Sequence, residues 1–256
     1  MGKLPIALQL YSVRAEAEKN FVDTMLKIKS LGYDGVELAG LYGHSPEDIR
    51  EALRVCGLEP ISAHVPYPEL AADIEKTVEA YHYIGCRYIA LPYFTEEYRA
   101  GAPGFDELMA DIPKIAEACN RRGMVLLYHN HDFEFEKMSD GRYVLDYIFE
   151  TFSPELLQTE IDTCWANVAG VEPSGYVLKY SGRAPVVHLK DFAGSKAENN
   201  LRFKAIGYGV QDMPKILDAS VKAGAEWLVV EMDEHPDNSP MTDAELSLKY
   251  LREVGF

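Results

Sequence analysis

The sequence predicts an α/β protein folded as a single (β/α)8 barrel over residues 1–256, and three observations carry that reading. Strand-like apolar runs alternate with amphipathic helix-like runs from end to end. Eight such strands can be counted, at roughly thirty residues per unit, the spacing of a (β/α)8 barrel. Glycines placed to end helices (Gly32, Gly57, Gly85, Gly123 and Gly224) each precede an apolar strand within a few residues. The 256 residues could also make two ordinary domains, but no linker or compositional break divides them.

The elements follow in order. IALQLYS, residues 6–12, is the first buried strand; Phe21, Val22, Met25, Ile28 and Leu31 then recur at helical spacing, and Gly32 stops the helix. YDGVELAG is the second strand. Its helix starts at Ser45 as the cap, with Pro46 in the first turn and Asp48 close behind. EPISAHVPY, CRYIALPYF, MVLLYHNH, LLQTEID, APVVHLKD and EWLVVEMD complete the set, with longer loops at 95–106 and 193–203. A doubly wound open sheet lacks its glycine fingerprint here. Gly207-Tyr208-Gly209 reads as turn chemistry, with Asp212 and Pro214 opening the next helix.

Composition narrows the function. A formal net charge of -16 argues against a surface that neutralises nucleic-acid phosphates, so no nucleic-acid partner is expected. The opening MGKLPIALQLYSVR holds only a short apolar stretch with Gln9 inside it and Arg14 closing it. That is neither a signal peptide nor a membrane span, and a cytoplasmic protein without a membrane partner is expected. Cys56, Cys86, Cys119 and Cys164 are scattered, with no CxxC pair, as suits reduced thiols.

In a (β/α)8 barrel the carboxyl ends of the strands form the active face, and the polar residues collect there. Glu37 ends strand two, His64 strand three, His129 and His131 strand five, Asp162 strand six, His188 strand seven and Glu231 strand eight. Strands buried on both faces are nearly all apolar, so each such group needs a partner, and a metal ion is one. Asp162, His188 and Glu231 sit at equivalent points of three consecutive strands and converge on one centre. One imidazole with two carboxylates suits Mn²⁺, Co²⁺, Mg²⁺ or Zn²⁺, and a further carboxylate favours the harder ions. Glu134, just past strand five, is the expected fourth ligand, with His131 or His129 as its rivals. His64 and Glu37 face substrate or cap strand ends, Lys190 holds a substrate oxygen or pairs with Asp191, and Tyr11 and Trp165 wall a sugar or pack. Arg183 is read as structural; His44, His82 and His235 are read as solvated.

LQLYSVR, YDGVELAG, the SAH of strand three, LLYHNHDFEF, EIDTCWANVAG, VVHLKDF and VVEMDE together resemble the xylose-isomerase-like TIM barrel superfamily of sugar phosphate isomerases and epimerases, over nearly the whole chain. The resemblance implies one divalent ion, Mn²⁺ first, held by Glu134, Asp162, His188 and Glu231. As in the ketose 3-epimerases, it makes Glu134 and Glu231 the acid/base pair that moves a substrate proton by way of an enediolate. It also implies a small sugar or sugar derivative as partner, with homodimers common among such barrels. Loss of a β-hydroxyl from the same enolate gives the alternative, an inosose-dehydratase-like lyase. One departure stands out: many members carry a histidine three residues after the strand-six aspartate, where this chain has Trp165. The endonuclease-IV-like nucleases of the same fold need further histidines and a basic surface, neither of which is present. A sugar-binding barrel without catalysis is the remaining reading.

Overall fold

The computed structural model describes residues 3–256. Eight parallel strands close into a barrel: β1 (Ile6–Gln9), β2 (Gly35–Ala39), β3 (Glu59–His64), β4 (Tyr88–Leu91), β5 (Val125–His129), β6 (Gln158–Asp162), β7 (Val186–Leu189) and, after a short antiparallel pair β8 (Asp191–Ala193) and β9 (Arg202–Lys204), β10 (Trp227–Val230). The ring is sealed where β1 pairs with β10 on one side and β2 on the other. Around it run α1 (Arg14–Lys19), α2 (Phe21–Leu31), α3 (Pro46–Cys56), α4 (Tyr67–Ala72), α5 (Ile74–Ile84), α6 (Pro103–Asn120), α7 (Val144–Thr151), α8 (Thr163–Val168), α9 (Pro173–Lys179), α10 (Met213–Ala223) and α11 (Pro240–Glu253).

All eight expected strands are present, each shorter than its apolar run. IALQLYS shows why: Gln9 Oε1 accepts the backbone N–H of Tyr11 and turns the chain into a 3₁₀ turn over Leu10–Val13. The expected start of α3 is a full capping box, in which Ser45 and Asp48 each accept the other's backbone N–H. Gly32, Gly57, Gly85 and Gly224 close their helices in the left-handed conformation that a side chain would strain. The loop 193–203 contributes to the β8/β9 pair, and α6 already begins at Pro103 inside the other expected loop. The four cysteines are free and buried. Among the described residues, no helix is long and apolar enough to cross a membrane.

The main core lies between barrel and helices, with Leu8, Val36, Leu38 and Ile161 on the outward strand faces. Inside the barrel a separate apolar plug forms from Ala7, Tyr88, Ala90, Leu127, Val186 and Val229 among others. Side chains alternate with period two along a strand, so Leu127, Val186 and Val229 place His129, His188 and Glu231 one layer above the plug, on the same inward face.

Candidate active site

Registration fixes the polar layer. His129 lies opposite Glu160 and Asp162 opposite His188, so β5, β6 and β7 deliver their polar ends together. Asn130 locks this arrangement: its side-chain N–H₂ donates to the Asp162 carbonyl at 3.2 Å, and its Oδ1 accepts the Asp162 N–H at 3.0 Å. The two oxygens of Asp162 do different work. Oδ1 accepts the N–H groups of Cys164 and Trp165 and caps α8, while Oδ2 faces the Lys190 ammonium.

Two donor sets overlap in the layer, His64, His129, Glu160 and His188 below and His129, Asp162, His188 and Glu231 above; within each, one donor atom per residue lies within 4.8 Å of the others. All of these residues are buried. Glu160 Oε1 is ringed by His64 Nε2 at 2.6 Å, His129 Nδ1 at 3.0 Å and His188 Nε2 at 3.0 Å. Glu37 accepts from Gln9 at 2.8 Å and Ser62 at 2.5 Å and stands 2.7 Å from His188 Nε2. The other nitrogen of His188, Nδ1, is 2.9 Å from Glu231 Oε2. Lys190 closes the upper layer, its Nζ 3.2 Å from Asp162 Oδ2, 3.0 Å from Glu231 Oε2 and 3.0 Å from Asp233 Oδ1.

The electrostatics follow from burial and pairing. Burial alone favours a neutral His188, but the carboxylates of Glu160 and Glu37 outweigh it and hold the imidazole well above its ordinary range. Burial likewise disfavours a charged Glu231, and Lys190 with His188 reverses this, keeping it ionised. Lys190 stays an ammonium because Asp162, Asp233 and Glu231 overcome its own desolvation. His129 is pushed down to about 4 by burial, leaving it a neutral imidazole, the form that ligates metals. Asp233 is raised to about 6, mainly by burial.

A metal ion fits these residues. Glu160 Oε2 is buried without a hydrogen-bond partner and Asp162 Oδ2 faces only the Lys190 ammonium, and such carboxylate oxygens beside the neutral imidazole of His129 form a cation's donor set. Asp162, His188 and Glu231 come together as the sequence indicates. Glu134 turns elsewhere: it accepts from the Tyr128 hydroxyl at 3.0 Å and the His131 N–H at 2.8 Å, and burial lifts its carboxyl to about 8. The member of both donor sets from β5 is His129, one of the two rivals.

Above the layer opens a cavity of about 1090 Å³. His64, His129, Glu231 and Asp233 line its floor, and Tyr11, His131 and Trp165 its sides. Glu37 and Lys190 lie beneath the floor rather than on it, and Lys190 pairs with the acids above, not with Asp191. Asp191 instead accepts the N–H groups of Phe192, Gly207, Gly209 and Gln211, which makes Gly207-Tyr208-Gly209 a braced turn. His235 is not solvated as expected. Its Nδ1 contacts Asp243 at 2.8 Å and its Nε2 the Ser12 carbonyl at 2.7 Å. His44 and His82 are exposed, and Arg183 is structural, donating to the carbonyls of Leu157, Phe149 and Phe152.

Glu160, Gln9, Ser62 and Asp233 were not singled out from the sequence. Period-two spacing points to two of them, since Glu160 stands two residues before Asp162 and Asp233 two after Glu231. Gln9 and Ser62 carry no such mark.

Comparison with known proteins agrees with this fold. Residues 25–254 match the family of xylose isomerase-like TIM barrels. An inosose dehydratase of Geobacillus kaustophilus is 22% identical over 262 residues, covering 88% of this chain and 84% of that protein. Two crystal structures share the fold. A sugar phosphate isomerase/epimerase from Parabacteroides distasonis superposes with a TM-score of 0.83 at 21% identity, covering 98% of each chain. The 3-keto-D-glucoside 4-epimerase from E. coli gives 0.74 at 18% identity, covering 98% of this chain and 100% of that one.

Proposed function

Because the chain belongs to the family of xylose isomerase-like TIM barrels, we propose that it is a divalent-metal-dependent isomerase or epimerase of a sugar or sugar derivative, moving a proton at a carbon beside a carbonyl. The observation that carries this reading is the convergence of His129, Asp162, His188 and Glu231 at the floor of the cavity. These four would hold the ion, Mn²⁺ first among the hard and borderline divalent ions that a carboxylate-imidazole set accepts. When bound, a divalent ion polarises a carbonyl and makes the adjoining C–H more acidic.

The remaining work falls to side chains. Glu231 lines the cavity as a carboxylate, and that position places it to take the proton. His64 reaches the floor from β3, three strands away from β10 around the ring. Burial opposes its charged form, but Glu37 and Glu160 raise its affinity for a proton above the ordinary value, which suits it to return one. Glu134, the other glutamate implied by the family resemblance, positions the end of β5 through Tyr128 and His131. A second reading, a lyase that expels a β-hydroxyl, is favoured by the likeness to inosose dehydratases.

Incubation of the Mn²⁺-loaded protein with ketoses and inososes in D₂O tests both. The proposal expects deuterium beside the carbonyl and a loss of rate of ~10²–10⁴-fold in Glu231→Gln. Loss of water from the product moves the assignment to the lyase. No exchange with any member of the panel contradicts both readings.

A further inference from the structure

The cavity is larger than one sugar ring needs, and its walls are not uniform. At about 1090 Å³ it stands just above the ~300–1,000 Å³ that holds drug-sized ligands. A continuous aromatic wall leads outward from the polar floor. Trp165 and His131 have ring centroids 5.4 Å apart, His131 and Phe133 5.6 Å with planes 9° from parallel, and Tyr93 meets Phe133 edge-on at 5.7 Å. Arg99 stiffens the outer part, its guanidinium 3.7 Å from the centroid of Phe133. Two polar atoms on this wall, Trp165 Nε1 and His131 Nδ1, are buried without a hydrogen-bond partner. A wall of flat rings carrying one unmet donor and one ring nitrogen is built for a second ring bearing hydroxyls.

Charge narrows the ligand further. Among the described residues, the lysine and arginine side chains lining the cavity are Arg99 and Lys196, and both are engaged. Arg99 donates to the Phe94 carbonyl at 2.9 Å and the Tyr93 hydroxyl at 2.7 Å, and Lys196 pairs with Asp132. Against them stand the carboxyl groups of Glu69, Glu96, Asp132, Glu136, Glu231 and Asp233. A phosphate would meet more like charge than partners.

We infer that the substrate is a neutral glycoside with two ring systems. The reacting sugar lies over His64, His129, Glu231 and Asp233, and the second ring, a sugar or a flat aglycone, lies against Trp165, His131, Phe133 and Tyr93. This rests on the proposed sugar chemistry and assigns Phe133 and Tyr93 to a distal subsite that sets specificity.

Isothermal titration of the intact protein with D-glucose, cellobiose, 4-nitrophenyl β-D-glucoside and glucose 6-phosphate tests it. The two-ring probes bind at least about tenfold tighter than glucose, the worth of one good aromatic contact, and the phosphate gains nothing. Phe133→Ala and Tyr93→Ala each remove most of that preference and leave glucose affinity as it was. Two-ring probes no tighter than glucose, or a glucose 6-phosphate that binds tighter than either, overturns the inference. Two-ring binding without deuterium exchange in any sugar keeps the subsite and removes the catalytic reading. Exchange on a phosphorylated monosaccharide, with no two-ring preference, does the reverse.

Discussion

Lys190 shows at the scale of one residue how the site is balanced. Its ammonium is the cation that Asp162, Glu231 and Asp233 share in the interior. Removing one partner of a buried ionic network strands the others, so Lys190→Met should lower stability by ~3–5 kcal/mol, read by urea unfolding. A wild-type midpoint would show that the three acids do not depend on it. Glu134 gives the pH counterpart. Its carboxyl keeps a proton up to about 8 in the fold, against an ordinary 4.5 when exposed. Between those values the folded chain binds more protons than the unfolded one, so Glu134 makes stability fall as pH rises through the window. Glu134→Gln removes this slope: its melting temperature relative to wild type should climb by several degrees from pH 5 to pH 8.5, given that ~1 kcal/mol moves a chain of this size by about 2–4 °C. A difference that stays constant with pH contradicts the assignment.

At the scale of elements, the site rests on strand ends that are clamped and loops that are braced. The turn after β9 depends on Asp191, which accepts the N–H groups of Gly207 and Gly209. A Cβ on Gly209 would lie 2.1 Å from Asp191 Oδ1 and 2.4 Å from the Phe192 carbonyl, and neither backbone nor a buried carboxylate can step aside. Gly209→Ala should therefore destabilise by about 1–3 kcal/mol, the usual cost of forced overpacking, in thermal or urea unfolding; a neutral substitution would show the turn to be loose. Elements were the most legible part of the sequence, because barrel strands buried on both faces leave unbroken apolar runs and helix-ending glycines punctuate them. Strand ends were less legible. The runs IALQLYS and EPISAHVPY continue past their strands, since Leu10 and Tyr67 are buried in the turn and helix that follow. Apolar content records burial, not strand pairing.

At the scale of the whole molecule, the closed ring turns residues scattered from Gln9 to Asp233 into one stratified interior. An apolar plug lies below, a buried layer of acids and imidazoles above it, and an aromatic-walled cavity on top. Strand order brought Asp162, His188 and Glu231 into view, because equivalent positions on neighbouring parallel strands must meet. The same logic could not choose among His129, His131 and Glu134, whose directions depend on how the chain leaves β5 and on the Tyr128 hydroxyl that captures Glu134. Nor could it show Glu37 and Glu160 sharing the imidazoles of His64 and His188, a cross-barrel contact with no local signature. The central claim, that the buried layer binds a divalent ion, is tested most directly by elemental analysis of protein purified without added metal and after dialysis against Mn²⁺, beside the His188→Ala/Glu231→Gln double variant. About one divalent ion per wild-type chain, absent from the variant, is the predicted result. No ion in the wild type after Mn²⁺ dialysis, or equal loading of a folded variant, would contradict it.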